Sequence, residues 1–246
     1  MTTTGARDTE RAIGSALARS AAYRALAHAL ADPTPEGLAG LVEEDLSFAL
    51  AAADALPGPV RDALAEVAEA FAGSSPEEVE REYRRVFTHV HSADHPAFET
   101  DLTARDVWRQ ARELADLAGF YRAFGMATSG ERPDHVAVEL EFLQLVSYKA
   151  AWAAARRDPE GLAICARAED AFLSDHALRW MPELAARLAA GGGPYAAVGR
   201  ALQALLREEA ERRGIPVPGA PRPGGAAPAG PGAGPDEEVG LCEEGG

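Results

Sequence analysis

The chain has 246 residues, with 24 Lys+Arg against 39 Asp+Glu, a formal charge of −15 and only 7% aromatic residues. That length buries a full core without staples, and Cys165 and Cys242 build neither a disulfide framework nor a zinc knuckle. The acidic balance repels phosphate backbones and anionic lipid heads, which argues against nucleic acid and for a basic peptide as partner. No run of about 18 uncharged apolar residues occurs. The expectation is therefore a soluble, cytoplasmic protein with no stable membrane insertion.

Alanine and leucine recur throughout, and stretches rich in valine, isoleucine and threonine that would alternate as strands are missing. The fold class expected is all-α: a single helical domain over residues 13–214, preceded by a flexible N-terminus (1–12) and followed by a disordered Pro/Gly/Ala-rich acidic tail (215–246). The first amphipathic helix spans about residues 13–31 and carries Leu17, Tyr23, Leu26 and Leu30. A helix pair follows over residues 35–72, broken near Pro57-Gly58-Pro59, and another helix starts at Pro76 and runs through Tyr83 to Phe87. Thr34-Pro35-Glu36, Ser75-Pro76-Glu77-Glu78 and Asp158-Pro159-Glu160 each place a capping side chain before a proline preorganised for a first turn, and Ser75 with Glu78 forms a capping box.

After a histidine-rich loop, Val107, Ala111, Leu114, Ala118 and Tyr121 mark a helix that stops at Gly125. The helix expected over residues 133–155 is apolar on two sides, Val136/Leu140/Leu143 and Val138/Phe142/Leu145, as suits the centre of a bundle. Further helices are expected over residues 160–180, with a restart at Pro182, and from about Tyr195 to Arg213. Cys165 reads as a small buried apolar side chain.

Three constellations bear on chemistry. His89, His91 and His95, with Asp94 and Glu99 nearby, have the ligand types of a metal site. They lie in a loop before a proline, without H-E-x-x-H or C-x-x-C, so a polar loop over a groove is the better reading and no metal is expected. The second is residues 130–142, where Pro133 would open a helix whose first turn presents Asp134 and His135, with Glu139 one turn on. An acid/base pair is conceivable there, but no nucleophile or phosphate cradle accompanies it. The third is the aromatic set, mostly core at helical spacing, with Phe98 set apart in a loop beside Glu99.

Y-x-x-V-F (83–87), H-P-A-F-E-T (95–100), E-R-P-D-H-V-A-V-E-L-E-F (131–142) and F-L-x-x-H-x-x-x-W-x-P (172–182) occur in that order. Over about residues 15–213 this pattern resembles the TorD/DmsD/NarJ-like chaperones, maturation proteins of molybdenum-containing redox enzymes. The stretch 111–125 is most similar to chaperones of the ethylbenzene dehydrogenase, dimethylsulfide dehydrogenase, and selenate and chlorate reductase group. The resemblance implies a helical domain with no reaction and no cofactor of its own. It would bind the twin-arginine signal peptide and the immature catalytic subunit of a molybdopterin-containing oxidoreductase, delaying export until the cofactor is inserted.

The peptide-binding elements implied are Tyr83, Val86 and Phe87, Phe98, and Pro133, Asp134 and His135. Where relatives carry P-P-Y or P-P-W, this chain has Pro96-Ala97-Phe98, so its peptide preference differs. A receptor for an arginine pair followed by an apolar stretch needs carboxylates beside a greasy groove, and Asp134 and Glu99 would supply that charge. The competing readings are a metal-dependent enzyme built on His89, His91, His95 and His135, and a ligand-sensing regulator, which lacks a basic helix-turn-helix.

Overall fold

The structure, a computed structural model, describes residues 3–87, 95–104, 106–128 and 130–217. Among the described residues every regular element is helical, as composition implies, and the lone exception is one antiparallel bridge between Phe98 and His135. The elements are α1 (Thr3–Leu30), α2 (Pro35–Gly40), α3 (Leu46–Ala52), α4 (Gly58–Ala72), α5 (Pro76–Phe87), α6 (Glu99–Thr103), α7 (Val107–Ala123), α8 (Val136–Arg156), α9 (Pro159–Phe172), α10 (Leu178–Ala189) and α11 (Pro194–Arg213). A π-helical turn, Leu41–Asp45, joins α2 to α3, and another, Leu173–Ala177, joins α9 to α10.

Helix α1 starts at Thr3, ahead of the start near residue 13 that its large apolar side chains suggest. Its Asp8 and Arg11 pair at 2.6 Å, one turn apart. Its packing is most extensive against α8. Ala18, Ala21, Ala22, Ala25 and Ala29 form a buried small-residue face, so the two helices approach closely. Ser20 and Gln144 stitch them with bonds of 3.1 and 3.2 Å. Helix α8 is the central element: Val136, Leu140, Leu143, Val138 and Phe142 on both its apolar sides are buried, and only Leu145 of the expected set stays half-exposed.

Capping follows the sequence signals. Thr34 Oγ1 accepts from Gly37 N at 3.0 Å, and Asp158 Oδ1 from Gly161 N at 2.9 Å. The Ser75/Glu78 box closes in both directions at 3.2 and 2.8 Å. Helix α7 ends where Gly125 takes a left-handed φ of 75°. Cys165 is buried, as expected. Pro182 differs: it lies inside α10 and does not restart the chain. The π turn just before α10 leaves Leu178 at ψ −8°, which bends the backbone at the carbonyl that a residue without an N–H cannot bond.

A charge cluster joins four of the helices. Arg213, at the end of α11, pairs with Glu169 and Asp170 of α9 and with Glu209 of its own helix at 3.2 Å. Arg19 of α1 reaches Glu209 at 3.4 Å, and Ser147 of α8 donates to Glu169 at 2.8 Å. Four helices therefore share one buried polar cluster whose members are costly to remove singly. Ile215 and Val217 extend past α11 and pack on the core, so the chain stays in contact with the bundle beyond the expected domain end at 214.

The α10–α11 crossing depends on Gly199. A Cβ there would lie 2.8 Å from both Ala185 O and Leu188 Cβ, and closer still to Ala189 N. Gly199→Val is expected to cost about 1–3 kcal/mol by overpacking. Gly14→Ala, in open space on α1, should be neutral or stabilising by up to about 1 kcal/mol. Urea unfolding of the two variants checks both.

Candidate functional site

The region 95–100 and the entry to α8 form one unit. Val136 N donates to Ala97 O at 2.8 Å and Glu99 N to Asp134 O at 2.9 Å, the two bonds that frame the Phe98–His135 bridge. This pairing draws residues 133–135 out of helical geometry, so α8 begins at Val136 with His135 as its N-cap, and Pro133 does not open it. His135 Nδ1 accepts from Ala137 N at 3.2 Å, which leaves the proton of the neutral ring on Nε2. Tyr121 holds the same stretch by donating its hydroxyl to Pro133 O at 2.6 Å.

Asp134 is fully buried. Its carboxylate accepts from Thr100 Oγ1 at 2.6 Å, Thr100 N at 3.3 Å, and Arg132 Nε and a terminal guanidinium nitrogen at 3.0 and 2.8 Å. The Arg132 guanidinium lies over the Phe98 ring, 4.2 Å from its centroid, and Phe98 packs edge-on against His135 at 5.1 Å. Glu99 is also fully buried, bonded to His176 Nδ1 at 2.9 Å, with Arg179 at 3.7 Å. Asp134 and Glu99 thus hold the site together from inside and present no carboxylate to solvent.

Beneath the bridge, Glu139 is buried and accepts from Trp180 Nε1 at 3.2 Å. Burial, followed by the neighbouring Glu99 charge, pushes its carboxyl well above the usual range. Burial lowers the His135 imidazole below its ordinary value, opposed by Glu131 and Asp134. His176, pinned between Glu99 and Asp116 (3.3 Å), borders a polar cleft of about 650 Å³ that Arg109, Arg112 and Arg179 also line.

Of the other expected residues, Tyr83 and Val86 are buried and Phe87 and Pro133 half-buried. Tyr83 and Phe87 form a stack with Tyr195 of α11, with centroids 4.9, 5.9 and 5.6 Å apart. Burial raises the Tyr83 hydroxyl to about 12, helped by Asp32 and then Glu131. The same two exposed carboxylates act on His135. Cations oppose them at both places, Arg84 over the Tyr83 ring and Arg132 beside His135, and Asp32 is itself paired with Arg84 at 3.0 Å.

His89, His91 and Asp94 of the candidate metal loop lie outside the described residues. His95 is half-buried beside the bridge, and among the described residues no group of three or more His, Cys, Asp or Glu is placed to hold a metal ion.

Sequence reading missed Arg132, Thr100, Tyr195, Arg179 and the pairing of His176 with Glu99. His176 and Trp180 stood in a quoted motif without a role, and Thr100 closed another; nothing in sequence pointed to Tyr195, over 100 residues from its partners. A second surface feature runs beside α1 and α8: a groove of about 620 Å³ lined by Leu17, Arg24, Phe48 and Tyr148, of which Phe48 and Tyr148 are exposed.

The chain is a member of the nitrate reductase delta subunit family, whose model matches residues 53–186, and so of the NarJ/TorD-type chaperones. The match contains every expected site residue. A solved structure described as a redox enzyme maturation protein from Archaeoglobus fulgidus is 19% identical, covering 76% of this chain and 93% of that one at a TM-score of 0.47. Among curated protein sequences no significant match is found.

The raised Glu139 carboxyl sets a pH dependence. A carboxyl whose pKa rises on folding costs nothing below its unfolded value, near 4.5, and destabilises increasingly as pH climbs from there toward the folded value. Glu139→Gln keeps an oxygen for Trp180 and removes that cost. Its thermal midpoint is expected to exceed the wild-type value at pH 8, with the gap closing near pH 4.5; scanning calorimetry across that range is the check.

Proposed function

We propose that this protein is a cytoplasmic assembly chaperone with no reaction of its own. It binds the twin-arginine signal peptide and the immature catalytic subunit of a molybdopterin-dependent oxidoreductase and delays export until the cofactor is inserted. Membership of the nitrate reductase delta subunit family supports a maturation-chaperone role. The pattern over residues 111–125 favours a client from the ethylbenzene dehydrogenase, dimethylsulfide dehydrogenase, and selenate and chlorate reductase group.

The observation that carries the reading is the Phe98–His135 bridge, a platform of paired backbone that holds an aromatic ring against an imidazole in the segment carrying the exposed carboxylate of Glu131. A leader presents an arginine pair followed by an apolar stretch. Exposed carboxylates gather the cations, and the half-buried rings of Phe87 and Phe98, the latter covered by Arg132 on one face, supply apolar contact. The remaining expected residues act from behind: Glu99, Pro133, Asp134 and His135 fix the Phe98 platform, and Tyr83 and Val86 fix the position of Phe87. The net charge of −15 adds long-range attraction for a cationic guest. Among the described residues no helix is long and apolar enough to cross a membrane.

Isothermal titration with the leader of the candidate client tests this. Binding is expected to weaken several-fold in Phe98→Ala and Glu131→Ala and to weaken with added salt, because the gathering carboxylates are exposed. Absence of binding, or binding indifferent to both substitutions and to salt, contradicts the proposal.

A further inference from the structure

The leader-binding reading leaves a conflict: the acid expected to receive an arginine, Asp134, has no exposed surface and already holds a guanidinium. We infer that Asp134, Thr100 and Phe98 form a guanidinium receptor, and that Arg132 is its built-in occupant, displaced when an arginine of the guest enters. The inference rests on the proposed function for the identity of the guest, but not for the chemistry of the pocket.

The parts match a planar, forked cation. Two Arg132 nitrogens meet Asp134 at 3.0 and 2.8 Å, and the terminal one also donates to Thr100 Oγ1 at 2.9 Å. The guanidinium face covers Phe98 at 4.2 Å, and the ring is itself braced by His135. Gln110 Nε2 donates to Thr100 Oγ1 at 3.2 Å, while Thr100 Oγ1 donates to Asp134, so the acceptors are oriented by groups other than Arg132. A compact ammonium would make neither the fork nor the stack, so the pocket discriminates arginine from lysine.

Arg132 is suited to leave. It precedes α8 in a loop, two residues from its carboxylate partner, and its side chain is 34% exposed although that partner is wholly buried. Departure without replacement strands a buried carboxylate and is strongly unfavourable. Departure with a guest arginine arriving preserves every bond type, so exchange is nearly balanced and vacancy is not. A tethered occupant competes at a high effective concentration. The pocket therefore rejects weak or lone cations and yields only to a guest held by further contacts, such as an apolar stretch along the aromatic faces.

Arg132→Ala opens the receptor, and Arg132→Met is a second variant that keeps the stem over Phe98. With either variant folded, millimolar methylguanidinium is expected to raise its thermal midpoint, while methylammonium does not, and wild type is expected to respond to neither. The variant is also expected to bind the leader several-fold more tightly than wild type. Absence of selective rescue overturns the receptor, and leader binding that is unchanged or weakened by the substitution overturns the displacement. If neither protein binds any leader while rescue persists, the proposed function and the displacement fail together and the receptor stands.

Discussion

A carboxylate cut off from water must be supplied with donors, and the way Asp134 is supplied organises the functional end of this bundle. Thr100 contributes a hydroxyl and a backbone N–H, Arg132 a forked guanidinium, and two backbone bonds clamp residues 97–99 onto 134–136. The donors come from two segments, 97–100 and 132–136, so satisfying one buried charge fixes the start of α6 against the entry to α8. Phe98 and His135 become a rigid facing pair because the backbone behind them is bonded, not merely packed.

The same logic extends downward. Glu99 leaves the bridge and bonds His176, Arg179 connects Glu99 to Glu113, and Glu139 meets Trp180. These polar contacts thread a layer otherwise filled by Phe120, Tyr121, Phe142 and Phe172, whose rings pack against one another at 4.5–6.3 Å. Buried polar networks of this kind are exacting, since an unpaired member costs more than the pair contributes. They suit a platform whose geometry must be kept, and the α1–α8–α9–α11 cluster around Arg213 is held by similar means.

Much of the fold was legible because it is written locally. Proline after a capping side chain, the Ser75/Glu78 box and Gly125 announce helix ends through interactions confined to a few residues, and α8 declares its central place by being apolar on two sides. What sequence concealed is non-local. Pro133 reads as a helix start until residues 97–99 claim its neighbours, Pro182 reads as a break until the π turn before it is seen, and the small-residue face of α1 hides how tightly it lies on α8. At the site, the residue types were visible but their roles were not. Asp134 and Glu99 look like open carboxylates because burial is not a local property, and Tyr195 joins Tyr83 and Phe87 only through the packing of α11.

Two surfaces compete for a cationic, apolar guest: the Phe98–His135 bridge with the exposed Glu131 in its segment, and the groove of Leu17, Glu44, Phe48 and Tyr148 beside α1 and α8. Both carry an exposed carboxylate and aromatic side chains, but the first is framed by paired backbone segments. Backbone hydrogen exchange, measured with and without the client's leader, separates them most directly. The account predicts slowed exchange at residues 96–104 and 131–137 with little change along residues 14–24 and 44–50. Protection confined to the α1–α8 groove, with the bridge segments unaltered, would contradict it.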